Sequence, residues 1–158
     1  MKIAIISDVH SNLAALESFP EKDYDQLWCL GDLVDYGPNP HEAIRWVKEK
    51  ATTTVRGNHD HAVGFDVDPK CSPPFRRLAE ETRQFTREVC EKEDLAFLRN
   101  LPVQKEVTLN GTKFCLVHAI PTDPLFGYCP ADSEQWTKEV EWIRSDVLLI
   151  GHTHALHP

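Results

Sequence analysis

Short apolar runs recur along the chain, and each one ends in a loop that carries polar side chains. In the first third of the sequence the runs span residues 2–8, 26–30 and 52–55. Runs of this length are typical of buried strands, and the isoleucine-rich run at 2–8 predicts a strand covered on both faces. Residues 13–19 and 40–47, which lie between the runs, have helical spacing. Three strand-loop-helix passages in succession predict a mainly parallel sheet, whose ligands gather at the carboxyl ends of the strands.

The second half of the chain has a different pattern. A proline-containing segment leads into residues 75–98, which have helical spacing and a charged face that we interpret as solvated. Two further runs, 103–109 and 112–117, flank Asn110-Gly111. This pair predicts a β-hairpin because it tolerates the positive φ angles of a tight turn. We expect a short helix at 136–144 and a final buried strand at 146–150.

The composition is that of one globular domain, residues 1–158. Of the 158 residues, 41% are hydrophobic and 27% are charged, which is enough to bury a core. No apolar run approaches the roughly 20 residues that span a bilayer, and the first residues lead into a strand rather than a signal peptide. We therefore expect a cytoplasmic protein that does not bind membranes. The formal net charge of -8 argues against nucleic-acid binding.

Polar side chains at the ends of the predicted strands are candidate metal ligands. These residues are Asp8, His10, Asp32, Asn58, His118, His152 and His154. Each one alone has an ordinary explanation, as a helix cap or as a histidine with a satisfied hydrogen bond. Together they form a mixed nitrogen and oxygen donor set, which suits Mn, Fe, Co, Ni or Zn, and two ions fit it better than one. We expect His41, His61 and His157 to be surface histidines instead.

The order of these residues resembles a known family. Asp8-x-His10, Gly31-Asp32-x-x-Asp35, Gly57-Asn58-His59-Asp60, His118 and Gly151-His152-x-His154 are similar to the ordered motif set of the calcineurin-like metallophosphoesterases. The segment from Tyr36 to Pro40 is similar to a small prokaryotic branch of that family. The resemblance covers residues 2–154. It implies an α/β fold, an αββα sandwich of two mixed sheets.

The resemblance also implies a role for each candidate residue. Asp8, His10 and His154 would hold one ion. Asn58, His118 and His152 would hold the other, and Asp32 would bridge both. The ions, with Mn the leading choice and Fe, Zn, Ni or Co the alternatives, would activate a shared hydroxide for attack on phosphorus.

Three further residues are assigned near the reacting phosphate. His59 would stabilise or protonate the departing oxygen, and Asp35 would orient the His59 ring. Asn58 and Arg56 are the substrate-binding candidates, although Arg56 is equally explained as a surface arginine paired with Asp60. Further side chains either line the pocket or pack in the interior, namely Tyr36, His41, Pro121, Phe126 and Tyr128.

The sequence departs from the family pattern in two places. Tyr36 stands where phosphoprotein phosphatases carry an arginine, which makes phosphoprotein substrates less favoured. Relatives usually continue past the last histidine motif with strands that complete the second sheet. We therefore expect a fold short of its C-terminal strands after residue 154, with exposed sheet edges that a homo-oligomer would cover.

These observations favour a metal-dependent hydrolase of phosphate esters, with small phosphodiesters or nucleotides as the leading substrates. A phosphomonoesterase is the first alternative. A non-catalytic protein-binding scaffold of the same fold is less favoured, because such scaffolds tend to lose catalytic residues and His59 and the ligand set are present here.

Overall fold

The computed structural model describes residues 1–20 and 23–154, so the predicted surface residue His157 lies outside the described part. Two three-stranded sheets carry the fold. The strands are β1 Ile3–Ile6, β2 Gln26–Cys29, β3 Thr53–Thr54, β4 Gln104–Leu109, β5 Thr112–Val117 and β6 Val147–Leu149. The helices are α1 Leu13–Glu17, α2 Pro40–Lys50, α3 Asn58–Phe65, α4 Arg76–Val89, α5 Lys92–Asn100 and α6 Trp136–Glu141, with a 3-10 turn at Pro73–Phe75.

The first sheet has the order β1-β2-β3, and both of its strand pairs are parallel, as predicted. One face of this sheet packs against α1, α2, α3 and α5 in the larger core. The prediction that β1 is covered on both faces was wrong. Ile3 and Ile5 share a face, and Ile3 packs in the core between the sheets, whereas Ile5 is 43% exposed because that cover does not extend to it.

The second sheet has the order β4-β5-β6 and is mixed, since β4 and β5 are antiparallel and β5 and β6 are parallel. Over the described strands, mixing is thus confined to this sheet rather than present in both. The predicted hairpin is confirmed, with Asn110 at φ 51° and Gly111 at φ 85° in its two-residue turn. Strand β6 is only half-buried along its length, so the expectation of a buried final strand was wrong.

The two sheets face each other across a second, smaller core. Trp28, Leu30 and Val55 from the first sheet side meet Leu116 of β5 there. The Trp28 ring meets the Phe114 ring edge to face at 5.2 Å, an arrangement that adds to the area it buries. This core fixes the two sheets together, and with them the loops that leave their carboxyl ends.

The stretch predicted to be helical at 75–98 forms two helices, α4 and α5. The break falls at Cys90 and Glu91, where Asp94 accepts a hydrogen bond from the Glu91 N–H and begins α5. The charged face of α4 is not simply solvated. Arg83 donates to the Val67 carbonyl and Arg87 to the Val63 carbonyl, so α4 is tied to the end of α3. Over residues 1–20 and 23–154, no helix is long and apolar enough to cross a membrane.

Candidate active site

The loops that carry the predicted ligands meet at one edge of the two sheets. Their backbones are joined by hydrogen bonds that continue the strand pairing, from Asp8 N to the Gly31 carbonyl at 3.0 Å and from His10 N to the Asp32 carbonyl at 2.9 Å. On the second sheet, the Gly151 N–H donates to the His118 carbonyl at 2.8 Å and continues the pairing of β5 with β6 in the same way. Loops from distant parts of the sequence are therefore held side by side.

Many site residues adopt a left-handed backbone conformation. Positive φ angles occur at Asp8 (54°), His10 (47°), Asp32 (55°), Asp35 (67°), His152 (69°) and His154 (53°). This conformation costs a side-chain-bearing residue on the order of 1–3 kcal/mol and is found where the surrounding structure enforces it. The backbone here is shaped to direct side chains inward, at a cost in stability.

The first donor set consists of Asp8, His10 and His154. The His10 Nε2 and His154 Nε2 atoms lie 3.1 Å apart, and His154 Nε2 lies 3.3 Å from Asp8 Oδ1. The other ring nitrogen of His10, Nδ1, lies 3.0 Å from the Val34 carbonyl. Because a carbonyl only accepts, that Nδ1 carries the proton, and Nε2 of neutral His10 presents a lone pair to the set.

The second donor set contains Asp32, His118 and His152. His118 is fully buried; its Nδ1 donates to the Leu30 carbonyl at 2.8 Å, and its Nε2 lies 3.3 Å from His152 Nδ1. The Asn58 Oδ1 atom is 3.1 Å from the same His118 Nε2. Asn58 is oriented by its amide nitrogen, which donates to the Pro69 carbonyl at 2.8 Å.

The side chain of Asp32 faces both sets. Its Oδ2 atom lies 3.2 Å from His118 Nε2 and 3.7 Å from His10 Nε2. Its other oxygen accepts a hydrogen bond from the His59 N–H at 2.9 Å, which fixes the carboxylate. Burial opposes the charge on Asp32, but the neighbouring histidines outweigh it and hold the pKa well below its ordinary value.

The two donor sets fit divalent cations because their nitrogen and oxygen atoms present lone pairs to one another. In neutral His118 the lone pair on Nε2 points toward Asn58 Oδ1 and Asp32 Oδ2, and a cation or a proton must lie between such atoms. Burial would lower the pKa of His118, but the charge of Asp32 raises it to about 9. Burial and the charge of His118 lower the pKa of His152 to about 4. A single proton cannot lie between all of these lone-pair-bearing atoms, whereas two cations, one in each donor set, can.

Asp60 holds the loops of the site together, a role that the sequence analysis did not predict. It is fully buried and accepts three backbone hydrogen bonds, from Asp32 N (2.9 Å), Leu33 N (2.8 Å) and Gly57 N (2.9 Å). Burial and the charge of Asp32 raise its pKa to about 7. Asp60 therefore joins the two loops that supply Asp32 and Asn58. Its place at the third position of a helix, three residues after Gly57, was the signal available in the sequence.

His59 and Asp35 form a buried pair beside the donor sets. His59 Nδ1 lies 2.7 Å from Asp35 Oδ2, and the His59 ring meets the His10 ring edge to face at 5.1 Å. Burial would lower the pKa of His59, but the hydrogen bond to Asp35 and the charge of Asp32 raise it. The protonated ring is thus favoured next to the site, with Nε2 free of the Asp35 contact.

Not every predicted residue joins the cluster. The Arg56 guanidinium donates to the Arg99 carbonyl at 2.7 Å and lies over the Phe65 ring at 5.2 Å, so its substrate-binding role stays a prediction. His41 pairs with Asp94 at 2.7 Å, between α2 and α5, rather than lying free on the surface.

Of the other predicted pocket residues, Tyr36 and Tyr128 lie near histidines of the site and Phe126 does not pack against one. Tyr36 lies 4.7 Å from both the His10 and His59 rings, and Tyr128 lies 6.2 Å from the His152 ring. Phe126 instead packs against the ring of His61, a histidine that lies outside both donor sets.

The glycine before Asn58 permits the close approach of the two ligand loops. A Cβ at Gly57 would lie 2.0 Å from Asp32 Oδ1, closer than any side chain tolerates. Gly31, at φ 96°, would likewise place a Cβ 2.5 Å from the Gly57 nitrogen. The two glycines thus face each other because no larger residue fits.

The order of motifs in the sequence assigned the chain to the calcineurin-like phosphoesterases, and an α/β fold with two histidine and carboxylate donor sets at its strand ends agrees with that assignment. The family comparison agrees with this assignment. Residues 1–157 match the calcineurin-like phosphoesterase superfamily domain, and the chain belongs to that family.

Three relatives define the extent of the similarity. An uncharacterised protein of Methanocaldococcus jannaschii is 32% identical over 157 residues, which are 96% of this chain and 62% of that protein. A symmetrical bis(5'-nucleosyl)-tetraphosphatase of Aromatoleum aromaticum is 32% identical over 124 residues, 77% of this chain and 42% of that enzyme. The crystal structure of a metallophosphoesterase from Sphaerobacter thermophilus matches with a TM-score of 0.81 and 32% identity, over 98% of this chain and 61% of that one.

These matches confirm the family resemblance and the fold class. They also show that the chain spans less than two thirds of the length of these relatives.

Proposed function

We propose that this chain hydrolyses small phosphate esters, with phosphodiesters or nucleotides as the leading substrate class. The observation that carries the proposal is the pair of donor sets facing the shared Asp32 carboxylate, with the His59–Asp35 pair beside them. Curated relatives named for hydrolysis of a dinucleoside tetraphosphate support the substrate class.

Two divalent cations fit the donor sets, with Mn the leading choice because the donors mix imidazole nitrogen with carboxylate and amide oxygen. Asp8, His10 and His154 would hold one cation, and Asn58, His118 and His152 would hold the other, with Asp32 between them. When bound, the cations supply charge for the phosphoryl oxygens and lower the pKa of an attacking water.

The residues of the chain supply positioning and a proton. Asp35 accepts from His59 Nδ1 and leaves Nε2 as the proton donor to the departing oxygen. Because burial of the pair excludes water, the ring keeps this orientation between turnovers. Asn58 holds its amide oxygen toward the site through its bond to the Pro69 carbonyl.

The cysteines and the net charge bear on where the protein acts and on what it binds. We propose a cytoplasmic location, since all five cysteines are free, as is usual in reduced compartments. The homo-oligomer stays a prediction, motivated by the strand edges expected to be exposed in the hairpin sheet or at the terminal strand. A net charge of -8 makes nucleic acid a disfavoured substrate.

The test compares bis-p-nitrophenyl phosphate with p-nitrophenyl phosphate on chelator-stripped protein refilled with Mn. We expect turnover restored by Mn, faster for the diester, and reduced about 100- to 10,000-fold in kcat by His59→Ala. His61→Ala is the matched control, since His61 lies on the same helix but packs on Phe65. Faster monoester turnover would move the assignment to a phosphomonoesterase. Metal binding without turnover of either ester would favour the scaffold.

A further inference from the structure

Two aromatic rings form a corner at the edge of the site. The Tyr36 ring lies 4.7 Å from the His10 ring, and the Phe75 ring lies 6.2 Å from Tyr36 at an interplanar angle of 64°. Nearly perpendicular rings offer a face on one side and an edge on the other, and a flat π-system can contact both. The two rings therefore form a candidate contact surface for a planar aromatic group.

The corner is held by a segment that the sequence left without chemistry. The Pro69 carbonyl accepts from Asn58, so this segment begins at a proposed ligand. The Tyr36 hydroxyl is a hydrogen-bonding partner of the Cys71 thiol, and burial raises the Tyr36 pKa. The backbone N–H of Tyr36 donates to Thr82 Oγ1 of α4 at 3.1 Å. The backbone of Tyr36 is thus tied to α4, next to the donor sets.

Phe75 differs from the other exposed phenylalanines of this region. It is 54% exposed and contacts Tyr36, one ring away from the His10 ligand. Phe65 is also exposed, but Arg56 and His61 cover its ring. Single exposed apolar residues are common on protein surfaces. Phe75 is distinguished by ring contacts that connect it, through Tyr36, to His10 of the first donor set.

We propose that Tyr36 and Phe75 form a stacking site for the base of a nucleotide whose phosphate lies at the donor sets. This inference rests on the proposed function and narrows the substrate to phosphate esters that carry a nucleoside. The Tyr36 ring centre lies 4.7 Å from the His10 ring and 6.2 Å from the Phe75 ring. The ribose between a base and its phosphate can span the distance from the donor set to these rings. Stacking requires only a π-face, so the site accepts any base and favours the larger purines.

The test measures binding, so that it does not depend on turnover. Adenosine 5'-monophosphate and ribose 5-phosphate, which differ only by the base, are titrated calorimetrically into Mn-loaded protein in the His59→Ala background. We expect the nucleotide to bind about 5- to 100-fold more tightly than the sugar phosphate, and Phe75→Ala to remove that difference. Phe75→Trp should preserve it, since the larger ring still stacks.

A matched control and a competing site complete the experiment. Phe85→Ala removes an exposed phenylalanine from α4, the helix that follows Phe75, and should leave the preference for the nucleotide unchanged. Equal affinity for the two ligands, or no binding of the nucleotide, would overturn the proposal. So would a preference that survives Phe75→Ala and disappears in Tyr128→Ala, because the base would then stack beside His152. Failure of ester hydrolysis with an intact base preference would overturn only the proposed function.

Discussion

The two sheets hold the candidate metal ligands in different ways. On the first sheet, Asp32 is 2% exposed and Asn58 is 2% exposed, and buried backbone hydrogen bonds to Asp60 fix the loops that carry them. On the second sheet, His154 has a side chain that is 53% exposed and follows a strand that is only half-buried. The folded core positions Asp32 and Asn58, whereas His154 is positioned mainly by its contacts with His10 and Asp8.

His118 shows that the difference is one of burial rather than of sheet. It also follows a strand of the second sheet, yet it is fully buried and bonded to the Leu30 carbonyl of the first-sheet side. The candidate ligands that are buried between the sheets are already held in place by the fold, whereas the exposed candidate, His154, is not. Cation binding should therefore order His154 more than it orders Asp32 or His118.

The largest expected effect is the loss of stability on removing Asp60, which holds the loops of the buried donors. Asp60→Ala leaves three buried backbone N–H groups without their acceptor, and each such loss costs about 1–3 kcal/mol. We expect the free energy of unfolding of the metal-free protein to fall by roughly 3–6 kcal/mol in urea denaturation, a large share of a typical domain's stability. Asp60→Asn keeps one acceptor oxygen and should lose less. A loss below about 1 kcal/mol in Asp60→Ala would contradict this account.

A pair of histidine variants tests the comparison directly. His118→Ala removes a buried ring and the donor to the Leu30 carbonyl, so we expect about 2–4 kcal/mol of destabilisation without metal. His154→Ala alters an exposed side chain and should change metal-free stability by no more than about 0.5 kcal/mol. Both variants should weaken Mn binding measured by calorimetry. Equal destabilisation by the two would show that the exposed ligand is as much a part of the fold as the buried one.

An effect smaller than those of Asp60→Ala and His118→Ala is expected at Glu139 on α6, which lies outside both donor sets. This carboxylate accepts from the Thr122 hydroxyl at 2.8 Å and from Gln135 at 3.0 Å. Burial opposes its charge, but these hydrogen bonds outweigh burial and lower its pKa below the ordinary 4.5. The stabilisation is therefore complete above pH 4.5 and is lost as the pH falls through the folded-state pKa.

Glu139→Gln should accordingly reduce stability by about 1–2 kcal/mol at neutral pH. The difference between variant and parent should shrink below pH 4.5 when unfolding is followed across a pH series. Activity per folded molecule should not change. A difference that is constant with pH would mean that packing, not the carboxylate charge, accounts for the loss.

The order of elements and the residues that meet at the site were accessible from the sequence. Strand ends in a parallel sheet converge by geometry, so apolar runs ending in Asp8, Asp32 and Asn58 predict a common edge. The Asn110-Gly111 turn was equally predictable, because its positive φ angles demand those residue types. These features depend on local pattern and on rules of connection that hold for many folds.

The remaining features depend on how far packing extends. The exposure of Ile5 could not be read from the sequence, because it reflects where the second sheet stops. The role of Asp60 depends on three backbone donors, two of which lie in a loop 27 and 28 residues away in the sequence. Tyr36 was predicted either to line the pocket or to pack in the interior, but its ring contacts with His10 and Phe75 could not be predicted because they depend on tertiary packing.

The hydrogen bond from the His152 N–H to the Asp8 carboxylate has a consequence for folding kinetics. It joins residues 144 positions apart, and contacts of such separation form late because the loop between them must close first. We expect the first donor set to be completed late in folding, so that the unfolded chain offers only fragments of it. Cations that bind the complete set would then favour the native state, and rising Mn concentration should raise the melting temperature by mass action.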